Sequence, residues 1–194
     1  QAMNRAGALS VKVRATWGIR MISEAMKSMV TPRKTSSEVR RGGVGAGAAG
    51  AGAALFAAGA GPGSGVARKD TVDRAAAALF AEAAERAGVR RFIQISTTGI
   101  GRTTGDEVFD AYLAAKGAAE DDLRERDLDW TIVRPGRLTD DEPTGLVELS
   151  EKPLRGSVPR GDVAAVVVAL LDRPGTVRRT YELISGDTPV ADAF

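Results

Sequence analysis

The chain has 194 residues, 27% of them charged and 43% hydrophobic, and a net charge of +2, the make-up of a globular domain long enough to bury a core. It contains no Cys and no His. Disulfides, thiolate nucleophiles, Ser-His-Asp triads and most transition-metal sites are thereby excluded, so no metal is expected and acid-base chemistry falls to Tyr, Lys, Asp or Glu.

Residues 1–41 hold nine Lys and Arg against Glu24 and Glu38, and form a basic N-terminal segment of unclear fold. Met21, Ile22, Ala25, Met26, Met29 and Val30 recur at helical spacing until Pro32. Trp17 is the only aromatic residue in this segment, which argues for a solvated leader and against a nucleic-acid arm. Residues 42–52 read as a Gly/Ala-rich linker. Within it Gly45 to Gly50 match the GxGxxG pattern of dinucleotide-binding turns. The match follows the polar "SSEVRRGG" and leaves no room for a helix, so it is not expected to cradle a phosphate. Residues 42–67 are uncharged, but their large apolar side chains are only Val44, Leu55, Phe56 and Val66. Gly and Ala add little transfer energy, so no membrane span is expected and the protein reads as cytoplasmic.

From Ala53 the pattern becomes regular. Ala53 to Ala58 form a short apolar run stopped by Gly59, the mark of a buried strand. Asp70 can cap a helix through "TVDRAAAALFAEAAERA", with Val72, Ala76, Leu79, Phe80 and Ala83 on its apolar face and Gly88 as its stop. "VRRFIQIS" is a strand that delivers Ser96, Thr97 and Thr98 at its carboxyl end. A loop leads to Asp106 and a helix from about Val108 to Arg126. "LDWTIVRPG" is a strand broken by Pro135 and Gly136. An acidic loop with Asp140, Asp141 and Glu142 precedes a helix, "GDVAAVVVALLD", with Asp162 as its cap; "TYELISG" is the last strand. This alternation predicts an α/β fold with a parallel sheet and helices on both faces. Ligands bind such sheets outside the carboxyl ends of the strands.

Tyr112 and Lys116 stand four apart on a helix and share a face. A neighbouring ammonium would lower the phenol pKa toward a useful range, and the hydroxyl of Ser96 or Thr98 could polarise a carbonyl.

From about residue 53 to 190 the chain resembles the atypical short-chain dehydrogenase/reductase superfamily, in its NmrA-like NAD(P)H-binding branch. The resemblance rests on "LFAAGAG", "AAERAGVRRFIQISTTG", "YLAAKGAAEDDLRERDLDWTIVRPGRLTDD" and "VPRGDVAAVVVALLD", in family order. It implies a Rossmann-like domain over residues 53–194. Ala57, Ala58, Gly59 and Gly61 would then lie against the dinucleotide, with Ser96 and Thr97 near the nicotinamide and Lys116 on its ribose. Pro135, Gly136 and Arg137 would form the turn beside nicotinamide and substrate, and Tyr112 would donate the proton. The family opens with a strand, a glycine turn and a helix, and residues 1–52 are too short and differently written for this. The first βαβ portion is thus expected to be missing or altered, which would leave a sheet edge open to a homo-oligomer. The implied activity is an NAD(P)H-dependent oxidoreductase acting on a small-molecule substrate, a carbonyl, quinone or flavin. The alternatives are a non-catalytic redox sensor and a degenerate chain without cofactor. NADP is slightly preferred to NAD, although no residue that would choose between them is recognisable.

Overall fold

A computed structural model describes residues 51–61 and 63–194. The basic segment, the Gly45 to Gly50 match and the expected alteration of the first βαβ portion lie outside them.

The chain enters at β1 (Ala53–Phe56), four apolar residues with no side-chain hydrogen bonds to satisfy. A loop leads into a continuous helical stretch made of α1 (Val66–Lys69), a π-helical segment (Asp70–Ala75) and α2 (Ala76–Arg86). Gly88 ends it as expected: at φ +71° it allows the Gly88 N–H to reach Glu85 O, and the Val89 N–H to reach Ala84 O. β2 (Arg91–Ile95) follows, then α3 (Glu107–Arg124), capped by the Asp106 carboxylate, which accepts from the Val108 and Phe109 N–H groups. β3 (Asp129–Pro135), β4 (Arg137–Thr139), β5 (Leu146–Ser150) and β6 (Ser157–Pro159) precede α4 (Arg160–Leu171). β7 (Arg179–Ser185) and the short β8 (Thr188–Pro189) close the chain.

The six-stranded sheet runs β1-β2-β3-β7-β5-β8, and β4 pairs with β6 in a separate parallel ribbon. β1, β2, β3 and β7 are parallel; β5 runs against them, and β8, antiparallel to β5, returns to their direction. Alternate side chains feed two cores. Ala54, Phe56, Phe92 and Ile132 pack toward α2 and α3, whereas Leu55, Ile93, Val133 and Leu183 meet Val163, Val166, Val167 and Leu170 of α4. Each such large aliphatic side chain contributes roughly 1.5–3 kcal/mol by leaving water. The result is a Rossmann-like α/β fold, with helices on both faces as the sequence predicts. Among the described residues no helix is long and apolar enough to cross a membrane.

Three local expectations are corrected. Asp70 caps nothing, because the helix already runs from Val66 and the Asp70 carboxylate pairs with Arg74 one turn on. The buried face of this stretch is Asp73, Ala77, Ala81 and Ala84, and Leu79 is 64% exposed. Small alanines let the helix lie close on the sheet, so the bulkier residues are displaced to the flank. Asp162 lies within α4 and is fully buried; its carboxylate accepts from the Thr144 and Gly145 N–H groups, fastening the loop before β5. That loop region also contains β4, β5 and β6, which are too short and mixed in composition to show an apolar run.

Candidate functional site

Parallel pairing in register brings the carboxyl ends of β1, β2 and β3 side by side. The Ala57–Gly61 loop, Ser96–Thr98 and Pro135–Arg137 leave those ends. A cavity of about 600 Å³ opens beyond β2 and β3. Of the expected residues, Ser96, Thr97, Thr98, Tyr112, Pro135, Gly136 and Arg137 line it. Leu154 to Gly156, Glu182, Arg102, Phe109 and Leu113 also line it. Gly136 is placed by contact: a Cβ there would sit 2.4 Å from Gly156 O, and the Arg137 N–H donates to Gly156 O at 3.0 Å.

Ala57, Ala58, Gly59, Gly61 and Lys116 do not line this cavity; they form the ground beside it. Lys116 is buried, and its Nζ donates to Ala58 O at 3.2 Å and to Ile95 O at 3.3 Å. It also lies 3.3 Å from Asp73 Oδ1. The Asp73 Oδ2 accepts from the Ala60 N–H at 3.2 Å, while Lys69 Nζ donates to Ala60 O at 2.6 Å. Two ammoniums and one carboxylate thus hold the backbone of Ala58 to Gly61 from below. Gly59 is where this bracing comes closest, since a Cβ would stand 3.1 Å from Asp73 Oδ1. Gly61 is exposed, and a Cβ there would meet nothing within 4 Å. The loop therefore offers side-chain-free backbone at the sheet's carboxyl edge, which fits the close approach of a dinucleotide.

The phenol of Tyr112 behaves differently from its sequence expectation. Burial pushes its pKa above the ordinary 10.0, with the Thr97 hydroxyl acting against that rise and the Asp73 charge adding to it. Lys116 does not bring it down: its Nζ is 6.0 Å from the Tyr112 ring centroid and faces Asp73. Burial lowers the Lys116 pKa, against the attraction of Asp73. Lys69 is the nearer cation, 5.0 Å from the ring centroid.

Beneath the β2 and β3 ends lies a second polar group. Glu120 is fully buried and accepts from Arg134 Nε at 2.9 Å and Nη2 at 2.6 Å, and from Arg124 Nη2 at 2.7 Å. Burial pushes its carboxyl up, but Arg134, Ser96 and Arg124 together hold it below the usual 4.5. Ser96 Oγ, buried at the cavity wall, has no partner in good hydrogen-bond geometry. Among the described residues no three His, Cys, Asp or Glu side chains gather as a metal site.

Residues 42–174 match the model of the family described as NAD(P)H-binding. The chain belongs to this NAD(P)H-binding family. It is 40% identical over 124 residues to an uncharacterized sugar epimerase of Bacillus subtilis, covering 63% of this chain and 58% of that protein. Among solved structures it is similar to a candidate NAD-dependent epimerase/dehydratase from Bacillus halodurans, at 38% identity and a TM-score of 0.72, covering 76% of this chain and 70% of the other. An anaerobillin reductase from Escherichia coli O157:H7 is similar at 28% identity and a TM-score of 0.60, covering 74% and 70% of the two chains. The chain spans 58% to 60% of the length of the first curated relatives it matches. The resemblance to the atypical short-chain branch is thus borne out at the level of family and fold.

Within this NAD(P)H-binding domain the sequence reading missed Asp73, Lys69 and Glu120. Their one sequence signal is a charged residue on the helix face that should be apolar. Asp73 sits four before Ala77, and Glu120 four after Lys116, so both belong to buried stripes.

Proposed function

We propose that this chain carries the nicotinamide end of an NAD(P)H-dependent oxidoreductase that reduces a small carbonyl, quinone or flavin. One observation carries the reading: Tyr112 stands in the same cavity as the strand-end residues Ser96 to Thr98 and Pro135 to Arg137. Family membership and the relatives' names, an epimerase and a reductase among them, support it.

The bound nicotinamide would supply hydride. Ala57, Ala58, Gly59 and Gly61 would present backbone to the dinucleotide, and Pro135 and Gly136 would wall the nicotinamide ring. Lys116 is committed to Ala58, Ile95 and Asp73, so its part in this arrangement is to fix the loop at the ribose end. With its pKa raised, Tyr112 holds its proton throughout the neutral range and suits proton donation to a developing alkoxide. The Ser96 or Thr98 hydroxyl would polarise the acceptor carbonyl. NADP is the slightly preferred dinucleotide.

Lys116 is engaged by Asp73 and not by the phenol, and this favours one second reading, a domain that binds NAD(P)H as a redox sensor without turnover. Titration with NADPH and NADH, followed by cofactor fluorescence, tests binding; assays with carbonyl, quinone and flavin acceptors test turnover. The enzyme reading expects Tyr112→Phe to lower turnover about 10²–10⁴-fold with cofactor affinity little changed. It also expects wild-type turnover to fall only at alkaline pH, as the phenol loses its proton. Binding without turnover in wild type leaves the sensor reading, and no binding at millimolar cofactor removes both.

A further inference from the structure

Three arginines line the cavity, and their surroundings carry an inference about what enters it. Arg137 leaves β3 directly after Gly136, and Arg155 directly precedes Gly156. The contact of these two glycines and the Arg137–Gly156 hydrogen bond therefore bring two cationic residues to one rim. Arg102 comes from a separate loop, after β2, in a turn set by Gly99 and Gly101 at φ +84° and +81°. Its side chain lies along Gly99, whose added Cβ would meet Arg102 Nη1 at 3.4 Å.

Among the described residues none of these guanidiniums has a carboxylate within ion-pair distance, whereas nine other arginines do. The one carboxylate at the cavity, Glu182, is buried and taken by Arg134 and the Leu154 N–H. Besides the hydroxyl-bearing residues Ser96 to Thr98 and Tyr112, the walls carry the apolar side chains Phe109, Leu113, Leu138 and Leu154. Convergent like charges around a hollow raise the energy of the empty site and lower it for an anion, and an apolar floor selects the body that bears the charge.

We propose that the substrate of this cavity is an amphipathic anion, a flat apolar or aromatic carbonyl or quinone compound carrying two or more carboxylate-like groups. The inference rests on the oxidoreductase reading for the reaction, and on the cavity alone for the ligand. The same guanidiniums could instead meet a phosphate of the dinucleotide, and the test separates these sources.

Calorimetric titration compares naphthalene disulfonate, naphthalene monosulfonate and neutral naphthalene methanol. The disulfonate should bind at least about tenfold tighter than the neutral compound, and the preference should shrink between about 50 and 500 mM salt. Arg102→Gln and Arg155→Gln, both exposed positions whose folding is checked by circular dichroism, should each weaken the disulfonate about tenfold and leave NADPH affinity within about twofold. Equal affinity for charged and neutral probes overturns the proposal while the NADPH result stands independently. Loss of NADPH rather than disulfonate affinity in the variants also overturns it, and assigns the arginines to the cofactor. Disulfonate binding without NADPH binding retains the anion cavity and removes the oxidoreductase reading.

Discussion

Gly136 is needed for its lack of a side chain. A methyl group there would stand 2.4 Å from Gly156 O and 3.0 Å from Ile184 Cγ2, inside van der Waals contact with backbone that cannot rotate away. Gly136→Ala should therefore push β3 and β6 apart and destabilise the domain by about 2 kcal/mol. Urea denaturation checks this, and an unchanged midpoint would show that the turn can shift without loss. The break after Pro135 is readable in the sequence as a strand end. The reason for glycine is not, because its partner lies twenty residues on, in the loop just before a strand of three residues that leaves no hydrophobic pattern.

At the scale of elements, the long runs are the readable ones. β2, β3 and β7 are flanked by turns and filled with Ile, Val, Leu and Phe, and α3 starts at a recognisable Asp cap. Periodicity misleads in the helical stretch before β2. Asp70–Ala75 is π-helical, so the register of the apolar stripe slips within it and the interior position falls to an acidic residue. This slip aims Asp73 at the loop after β1. Asp73→Asn would keep the shape and remove the charge that balances Lys116, leaving a buried ammonium with carbonyls alone. The expected loss is about 3 kcal/mol of stability, read by chemical denaturation at neutral pH. A loss below about 1 kcal/mol would mean that the backbone carbonyls of Ala58 and Ile95 suffice. The spacing of Tyr112 and Lys116 shows that they share a face, but their electrostatic relation is not legible in the sequence, because it depends on the Asp73 carboxylate.

Across the whole molecule, Glu120 joins a helix to the middle of the sheet. It lies on α3 and holds Arg134 of β3, which in turn reaches Glu182 of β7 at 3.5 Å. The helix that carries Tyr112 is thereby fixed to the strands that carry Pro135 and the cavity wall, so site geometry and fold stability share one buried network. Glu120→Gln keeps the shape and removes the charge. Because Arg134 and Arg124 keep partial access to water, the loss should be about 2–3 kcal/mol, near or below the lower end for a broken buried pair. Its pH dependence follows from the lowered carboxyl pKa. A carboxyl depressed in the folded state stabilises fully above its ordinary value of 4.5 and loses that contribution as pH falls through the folded value. The gap between wild type and Glu120→Gln should therefore be constant from about pH 5 upward and close progressively in acid. Denaturation midpoints across that range measure it. A gap that persists unchanged at low pH would assign the glutamate's contribution to shape and hydrogen bonding, independent of its charge.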